Sequence, residues 1–333
     1  MKRLSWIISS VLLLLIGYYF YSQNQGEGIR EDLVLHVEDT ADIAQIIILN
    51  RAGKKQSFSR RKNYWVNEKD EVLRADAINN LLATIHSQRV SSLIPKAAMD
   101  NVVKDLSSNS VLVQLMDKKG DKLLSFYVGG VTPDDRGTFM IREQSEIPVI
   151  VNIPGFEGNL RTRYIMSEND WASRELLPEL NSVKQIRLDF PRQQEESFIF
   201  RYNEDNIGYV QKRWDTEVRY SEINTDKLKV YIDRLQNLYA EALLDPAKIE
   251  DLEDVVPFCV LEVVDEEDEI YSLSFFPQIW IDMPNEEVNM PTVERYYTYR
   301  NDGKLFLTQH LLMQKIFIGY EHFVSSLGSG SKM

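Results

Sequence analysis

Two hydropathy periods alternate along this chain. From Ala44 to Leu49 and from Gln56 to Arg60, β-branched residues and polar–apolar alternation flank an Ala52-Gly53-Lys54 turn, which predicts a pair of strands. Tyr64-Trp65-Val66 predicts a third. The period then changes to that of a helix. Ile78, Leu81, Leu82 and Ile85 share one face of Ala77–Ser87, with Asp76 as the expected N-cap. Val90–Ile94 is extended and stops at Pro95, and Ala97–Leu106 predicts a short helix. Val111–Met116 and Leu123–Val128 flank Lys118-Lys119-Gly120-Asp121 as a hairpin, and Thr138–Arg142 with Val149–Val151 make a further strand pair. Ahead of all this, Leu33–His36 reads as a first strand or an extended lead-in.

The same order then returns. Gln45-Ile46 recurs as Gln185-Ile186 and Ser57-Phe58 as Ser197-Phe198, both 140 residues later. Asp76 recurs as Asp226 and Leu93-Ile94 as Leu243-Leu244 at 150, Leu124-Ser125-Phe126 as Leu273-Ser274-Phe275 at 149, and Arg142 as Arg300 at 158. Leu228, Tyr231, Ile232 and Leu235 repeat the apolar helix face. The offset drifts where loops absorb insertions, the signature of an internal duplication. Strands, one long helix and more strands in each copy predict an α+β fold of two tandem repeats, each an antiparallel sheet with a helix packed on one face. The repeats are expected at residues 41–160 and 183–324, joined by a bridge at 161–182. Copy two is longer by Gln278–Val293, which reads as a loop. Leu311–Phe323 reads as an amphipathic helix, and the Gly/Ser-rich residues 325–333 as a disordered tail.

Residues 1–21 change the picture. Leu4–Tyr21 is uncharged and apolar for 18 residues, which as a helix spans about 27 Å, close to the hydrocarbon thickness of a bilayer. Trp6 and the Tyr18–Tyr21 aromatics suit the two interfaces, Lys2-Arg3 precede the run, and Glu27, Glu31 and Asp32 follow. Positive charge stays in the cytoplasm, so the remainder is expected across the membrane. No small-residue cleavage pattern and no lipid-accepting Cys ends the run, which favours a retained single-pass anchor over a cleaved signal. Residues 22–40 then read as a tether.

Composition excludes more than it assigns. The net charge is −13, and without Lys2 and Arg3 the rest carries 36 basic against 51 acidic residues. Such a surface repels nucleic-acid phosphates and anionic lipid. Cys259, the single cysteine, lies in the apolar run Phe258–Leu261 and reads as a buried core thiol. His36, His86, His310 and His322 show no metal-ligand spacing. Asp265–Glu269 is acidic but lacks the order and central Gly of a calcium loop, and Pro133–Gly137 reads as a turn. No phosphate loop, nucleophile elbow or His-Glu-x-x-His motif occurs. No catalytic residue, metal or cofactor is expected. Tyr64, Trp65, Tyr209 and Trp214 recur near each third strand, as core or as an aromatic groove.

The chain resembles a bacterial domain-of-unknown-function family (DUF4340-like) of membrane-anchored proteins encoded beside gliding-motility-type ABC transporters. The resemblance rests on the anchor, Tyr64-Trp65-Val66, Ala75–Leu82, Leu124–Gly129, Gly137–Arg142, Ile153-Pro154-Gly155-Phe156 and Asp170–Arg174, and covers roughly residues 41–200. Where the pattern leads one to expect a basic residue after Trp171, the chain has Ala172. The resemblance implies an accessory role beside an envelope transporter and no known enzymatic activity. The expected function is thus a non-catalytic interaction module in the periplasm, held by a cytoplasmic-membrane anchor, with ABC permease and ATPase subunits as partners. A structural spacer and a glycan-acting periplasmic enzyme are the alternatives. Candidate partner-binding residues are Arg161, Arg163 and Trp171 in the bridge and Trp280, Met283 and Met290 in the copy-two insertion, because Trp, Arg and Met favour interfaces.

Overall fold

The computed structural model describes residues 33–178, 183–202, 208–214, 220–222, 225–248, 252–282 and 293–324. The apolar run 4–21, residues 22–32 of the tether and the tail 325–333 lie outside the described residues. No helix among the described residues is long and apolar enough to cross a membrane. The chain divides into two compact units between Trp171 and Ala172.

In the first unit the elements run β1 (Gln45–Asn50), β2 (Lys55–Arg60), β3 (Trp65–Val66), α1 (Ala75–Ser87), β4 (Arg89–Leu93), α2 (Met99–Asn109), β5 (Val111–Met116), β6 (Lys122–Val131), β7 (Thr138–Arg142), β8 (Val149–Asn152), α3 (Arg161–Tyr164) and α4 (Glu168–Trp171). The strands form one sheet in the order β3-β2-β1-β5-β6-β7-β8-β4, every pairing antiparallel. Helix α1 therefore carries the chain from one sheet edge to the other.

Alternation along the strands sends Ile46, Ile48, Phe58, Val113, Leu115, Phe126, Val128 and Met140 to one face, where they meet Ile78, Leu81, Leu82 and Ile85 of α1. Burial of each such side chain contributes about 1.5–3 kcal/mol. The intervening residues Tyr127, Phe139, Ile141 and Ile150 meet Val102 and Leu106 of α2 on the opposite face. The sheet of this unit is thus covered from both sides, not from one. Gly129 permits the second contact, since a Cβ there would stand 2.7 Å from Leu106 Cδ2.

Several local expectations change. Asp76 lies inside the first turn of α1, whose N-cap is Arg74; its carboxylate accepts from Arg74 Nε at 3.0 Å. A charged partner two residues away holds it off the cap. Leu33–Val37 is a lead-in and not a strand. Leu35 is buried, Gln88 donates its side-chain amide to the Leu35 carbonyl, and Val37 N–H reaches Ile85 O at 3.4 Å. Residues 172–178 of the expected bridge open the second unit, and residues 161–171 complete the first. Leu160, Tyr164 and Trp171 belong to its core.

In the second unit the elements are β9 (Val183–Asp189), β10 (Phe198–Tyr202), β11 (Gly208–Lys212), β12 (Tyr220–Glu222), α5 (Thr225–Gln236), β13 (Ala242–Leu244), β14 (Cys259–Asp265), β15 (Ile270–Pro277), α6 (Gln278–Asp282), β16 (Arg295–Arg300), β17 (Leu305–Gln309), α7 (His310–Met313) and α8 (Tyr320–Val324). The order β12-β11-β10-β9-β14-β15-β16-β17-β13 is that of the first sheet with β12 added at one edge. All its pairings are antiparallel too.

The duplication extends to particular contacts. Phe58 and Trp171 pack with tilted rings 4.8 Å apart between centroids; Phe198 and Phe323 pack edge to face at 4.9 Å. Arg74 Nη1 donates to Asp170 O at 3.1 Å, and Lys227 Nζ to His322 O at 2.7 Å, each time just before that stapling aromatic. The lead-in recurs as Arg174–Leu176, joined to Leu238 and Ala240 by backbone bonds of 3.0 and 2.8 Å. Both long hairpins turn on an Asp whose Oδ1 accepts a backbone N–H four residues on, Asp117 from Asp121 and Asp265 from Glu269. The left-handed residue of each turn is Gly120 (φ 86) and Asp268 (φ 64).

Register corrects two sequence equivalences. Arg142 stands opposite Phe126, whereas Thr298, not Arg300, stands opposite Phe275. Ile46 stands opposite Phe58, but Phe198 faces Leu188, two residues beyond Ile186. The insertion 278–293 begins as helix α6, not as a loop. Leu311–Phe323 is two short helices, because the chain passes Glu196 at Gly319, where a Cβ would meet Glu196 Oε2 at 1.7 Å.

Candidate functional site

The residues that could carry chemistry are tied into each unit. Cys259 is buried and free, and burial pushes its thiol well above the usual range. A thiol held protonated is a poor nucleophile. Tyr164 and Tyr231 are wholly buried, each raised by burial. Their hydroxyls donate to Gln88 Oε1 at 2.6 Å and Ile316 O at 2.9 Å. Among the described residues no three His, Cys, Asp or Glu side chains are grouped so that they could hold a metal ion.

The densest charge cluster among the described residues runs across β9 and β14 to Arg213, just past β11. Glu262 Oε2 lies 3.1 Å from Arg187 Nη2, Arg187 Nε 3.1 Å from Asp189 Oδ2, and Asp189 Oδ1 3.6 Å from Arg213 Nε. Burial raises the Asp189 carboxyl despite both arginines. The row alternates in sign, which is the arrangement of a structural ion network. The hairpin tip Asp265–Glu269 is closed by its own backbone bonds and by Lys184 on Asp268. At Pro133–Gly137, Thr132 Oγ1 donates to Asp134 and holds that carboxyl below its usual value. Of the recurring aromatics, Trp65 is buried under Arg60, while Trp214 is half exposed under Arg213.

The candidate partner residues of the bridge are occupied within the first unit. Arg161 donates to Gly129 O and, at 2.9 Å, to Asn109 O. Arg163 donates to Thr84 Oγ1 at 2.9 Å and lies 4.5 Å over the Phe156 ring. Trp171 is 1% exposed. The structure brings these three to one body and gives each a packing role. Trp280 falls within α6, with its side chain outside the described residues; Met283 and Met290 lie outside them altogether.

An opening with an exposed apolar lining lies elsewhere in the second unit. Val230, Asp233 and Arg234 of α5, then Asn237, Leu238 and Tyr239, face Leu312 and Lys315 across a cleft of about 350 Å³. Val230 is 49% exposed, Tyr239 48% and Leu312 38%. Hydrogen bonds fix both walls. Arg234 Nη1 donates to Lys315 O at 3.2 Å, Lys227 Nζ to His322 O, and Tyr231 hydroxyl to Ile316 O. Leu311, 68% exposed, lines a shallower neighbouring cleft with Val293, Arg295 and His310. There the polar groups are paired, Arg295 with Glu241 at 2.9 Å and His310 with Tyr296 at 2.9 Å. A legible signal for the main cleft was Val230, which stands off the Leu228–Tyr231–Leu235 face, on the side a solvated helix keeps polar.

Over residues 101–254 the chain matches the family model described as a domain of unknown function (DUF4340). The match supports the resemblance to a domain-of-unknown-function family and says nothing of a transporter; it begins later and ends later than the motifs do. It starts within α2 and ends after β13, taking the second half of one repeat and the first half of the next. No curated protein and no solved structure matches the chain.

Proposed function

We propose that this chain is a non-catalytic, partner-binding module of a bacterial envelope assembly. In this reading Leu4–Tyr21 anchors it in the cytoplasmic membrane, both units stand on the periplasmic side, and it serves an ABC-transporter-type complex. One observation carries the reading. The same fold is built twice, its titratable clusters are consumed in internal ion pairs and hydrogen bonds, and the second copy leaves an apolar cleft open. Exposed apolar side chains gathered in a concave site suit recognition better than proton transfer. The test is affinity purification of the full chain from gently solubilised native membranes. Co-recovery of a permease and an ATPase is the expected result. A chain recovered alone would favour a spacer and overturn the module.

A further inference from the structure

We infer that the α5 cleft of the second unit docks an acidic amphipathic helix of a membrane-protein partner; this rests on the partner-binding reading above. The floor is apolar, from Val230, Leu238, Tyr239 and Leu312. Two cations, Arg234 and Lys315, share that lining with one acid, Asp233, and Lys227 stands one turn before Val230 on α5. Lys227, Arg234 and Lys315 have no carboxylate within salt-bridge distance among the described residues, and the first two donate to carbonyls of the facing wall. Elsewhere in the same unit Lys184, Arg187, Arg213, Arg295 and Arg300 are all paired with carboxylates. A chain with 13 excess negative charges has acids to spare, yet among the described residues none lies within salt-bridge distance of these three.

The local field has a second witness. His322, beside Lys227 and Arg234, is held below the usual histidine value first by burial and then by those two cations. Asp233 is the one acid on the lining, against the two cations Arg234 and Lys315. Apolar side chains spaced at i, i+3 and i+4 on an incoming helix would fill the floor, and its flanking Asp or Glu residues would meet Arg234 and Lys315. A bilayer surface offers the same negative charge but is flat on this scale, and a concave cleft fits a helix better than a plane. The same surface of the first unit is polar: α1 exposes Asp76, Asn79, Asn80, Ala83 and His86.

Site-specific photocrosslinking separates the outcomes. A photoreactive phenylalanine replaces Leu312 in the full chain in its native membrane, with a control at Asn80, and adducts are sequenced. The expected adduct at position 312 is a helical segment with net negative charge. The double change R234E/K315E should lower its yield about tenfold, as lost electrostatic complementarity does. That variant is first checked for an unchanged thermal midpoint. Lipid adducts at 312, a basic peptide, equal yield at 80, or a yield that ignores R234E/K315E would each overturn the inference. If partners still co-purify while position 312 stays unreacted, the inference fails and the module survives. If nothing co-purifies, the module itself fails.

Discussion

The two units share a strand order, an aromatic staple and a hairpin turn, and they differ in what each leaves uncovered. In the first, α2 closes the outer sheet face and α1 turns only small or polar residues outward. In the second, the stretch that follows β13 holds 3-10 turns at Pro246–Lys248 and Leu252–Asp254 among the described residues, and α5 carries Val230 beside an open cleft. Duplication explains this division. One copy suffices to conserve a stable form of the fold, which leaves the surface of the other free to specialise while inner-face packing is kept in both. The strongest test of the comparison removes what the copies share. Phe58→Ala and Phe198→Ala each delete a buried ring that packs against the closing aromatic of its own unit, and each should cost about 3–5 kcal/mol. Denaturant unfolding of both variants measures this. A cost near zero at one of them would mean that its staple is not equivalent to the other.

How much of this was legible follows from the range of each signal. The inner faces were legible, since Ile78, Leu82 and Ile85 and their counterparts Leu228 and Leu235 are buried as the helical spacing requires. Ile232 is only half-buried, because a periodic pattern marks a face without saying how far across it the neighbours reach. The repeat itself was legible from short identities, but its register was not. Arg142 and Arg300 look alike and sit two residues out of step, because hairpin pairing, not residue type, fixes equivalence. The role of residues 161–171 was hidden for a different reason. Arg161, Arg163 and Trp171 are the residue types of interfaces, and equally of a core closed by a chain terminus; only the position of Phe58, more than 100 residues earlier, decides between them. The cleft depends on Leu312 meeting α5 across a long sequence separation, which no local pattern reports.

A smaller effect sharpens the comparison at the hairpin tips. Gly120 has φ 86 and open space where a Cβ would go, so Gly120→Ala meets no clash and pays only for the left-handed backbone. The expected loss is about 1 kcal/mol. Asp268 holds the same conformation with a side chain already present. Asp268→Gly relieves that strain but loses an exposed ion pair with Lys184, itself worth about 0–1 kcal/mol, so the two nearly cancel. Chemical denaturation of both variants reads the difference. A neutral Gly120→Ala would show that the two turns are not of one type.

The smallest expected effect sits where the copies differ by one residue at the staple. Asp170 precedes Trp171 in the first unit, and His322 precedes Phe323 in the second. His322 is lowered from 6.5 by burial, then by Lys227 and Arg234. The sign follows from proton uptake. Above about pH 6.5 the ring is neutral in both folded and unfolded chains and contributes no pH dependence. As the pH falls through that value toward the lowered folded one, the unfolded chain binds a proton that the folded chain resists, so stability is lost. The ring is exposed, which keeps the loss well under about 1 kcal/mol. Unfolding of the wild type and of His322→Gln, compared from pH 7.5 down to about 5, isolates the histidine because every other group titrates alike in both. The wild type should lose slightly more. Added salt should shrink the difference only in part, since it screens the two cations and leaves the burial cause in place. Superimposable profiles would remove the positive field at this wall, and with it one of the two supports for an acidic occupant of the cleft.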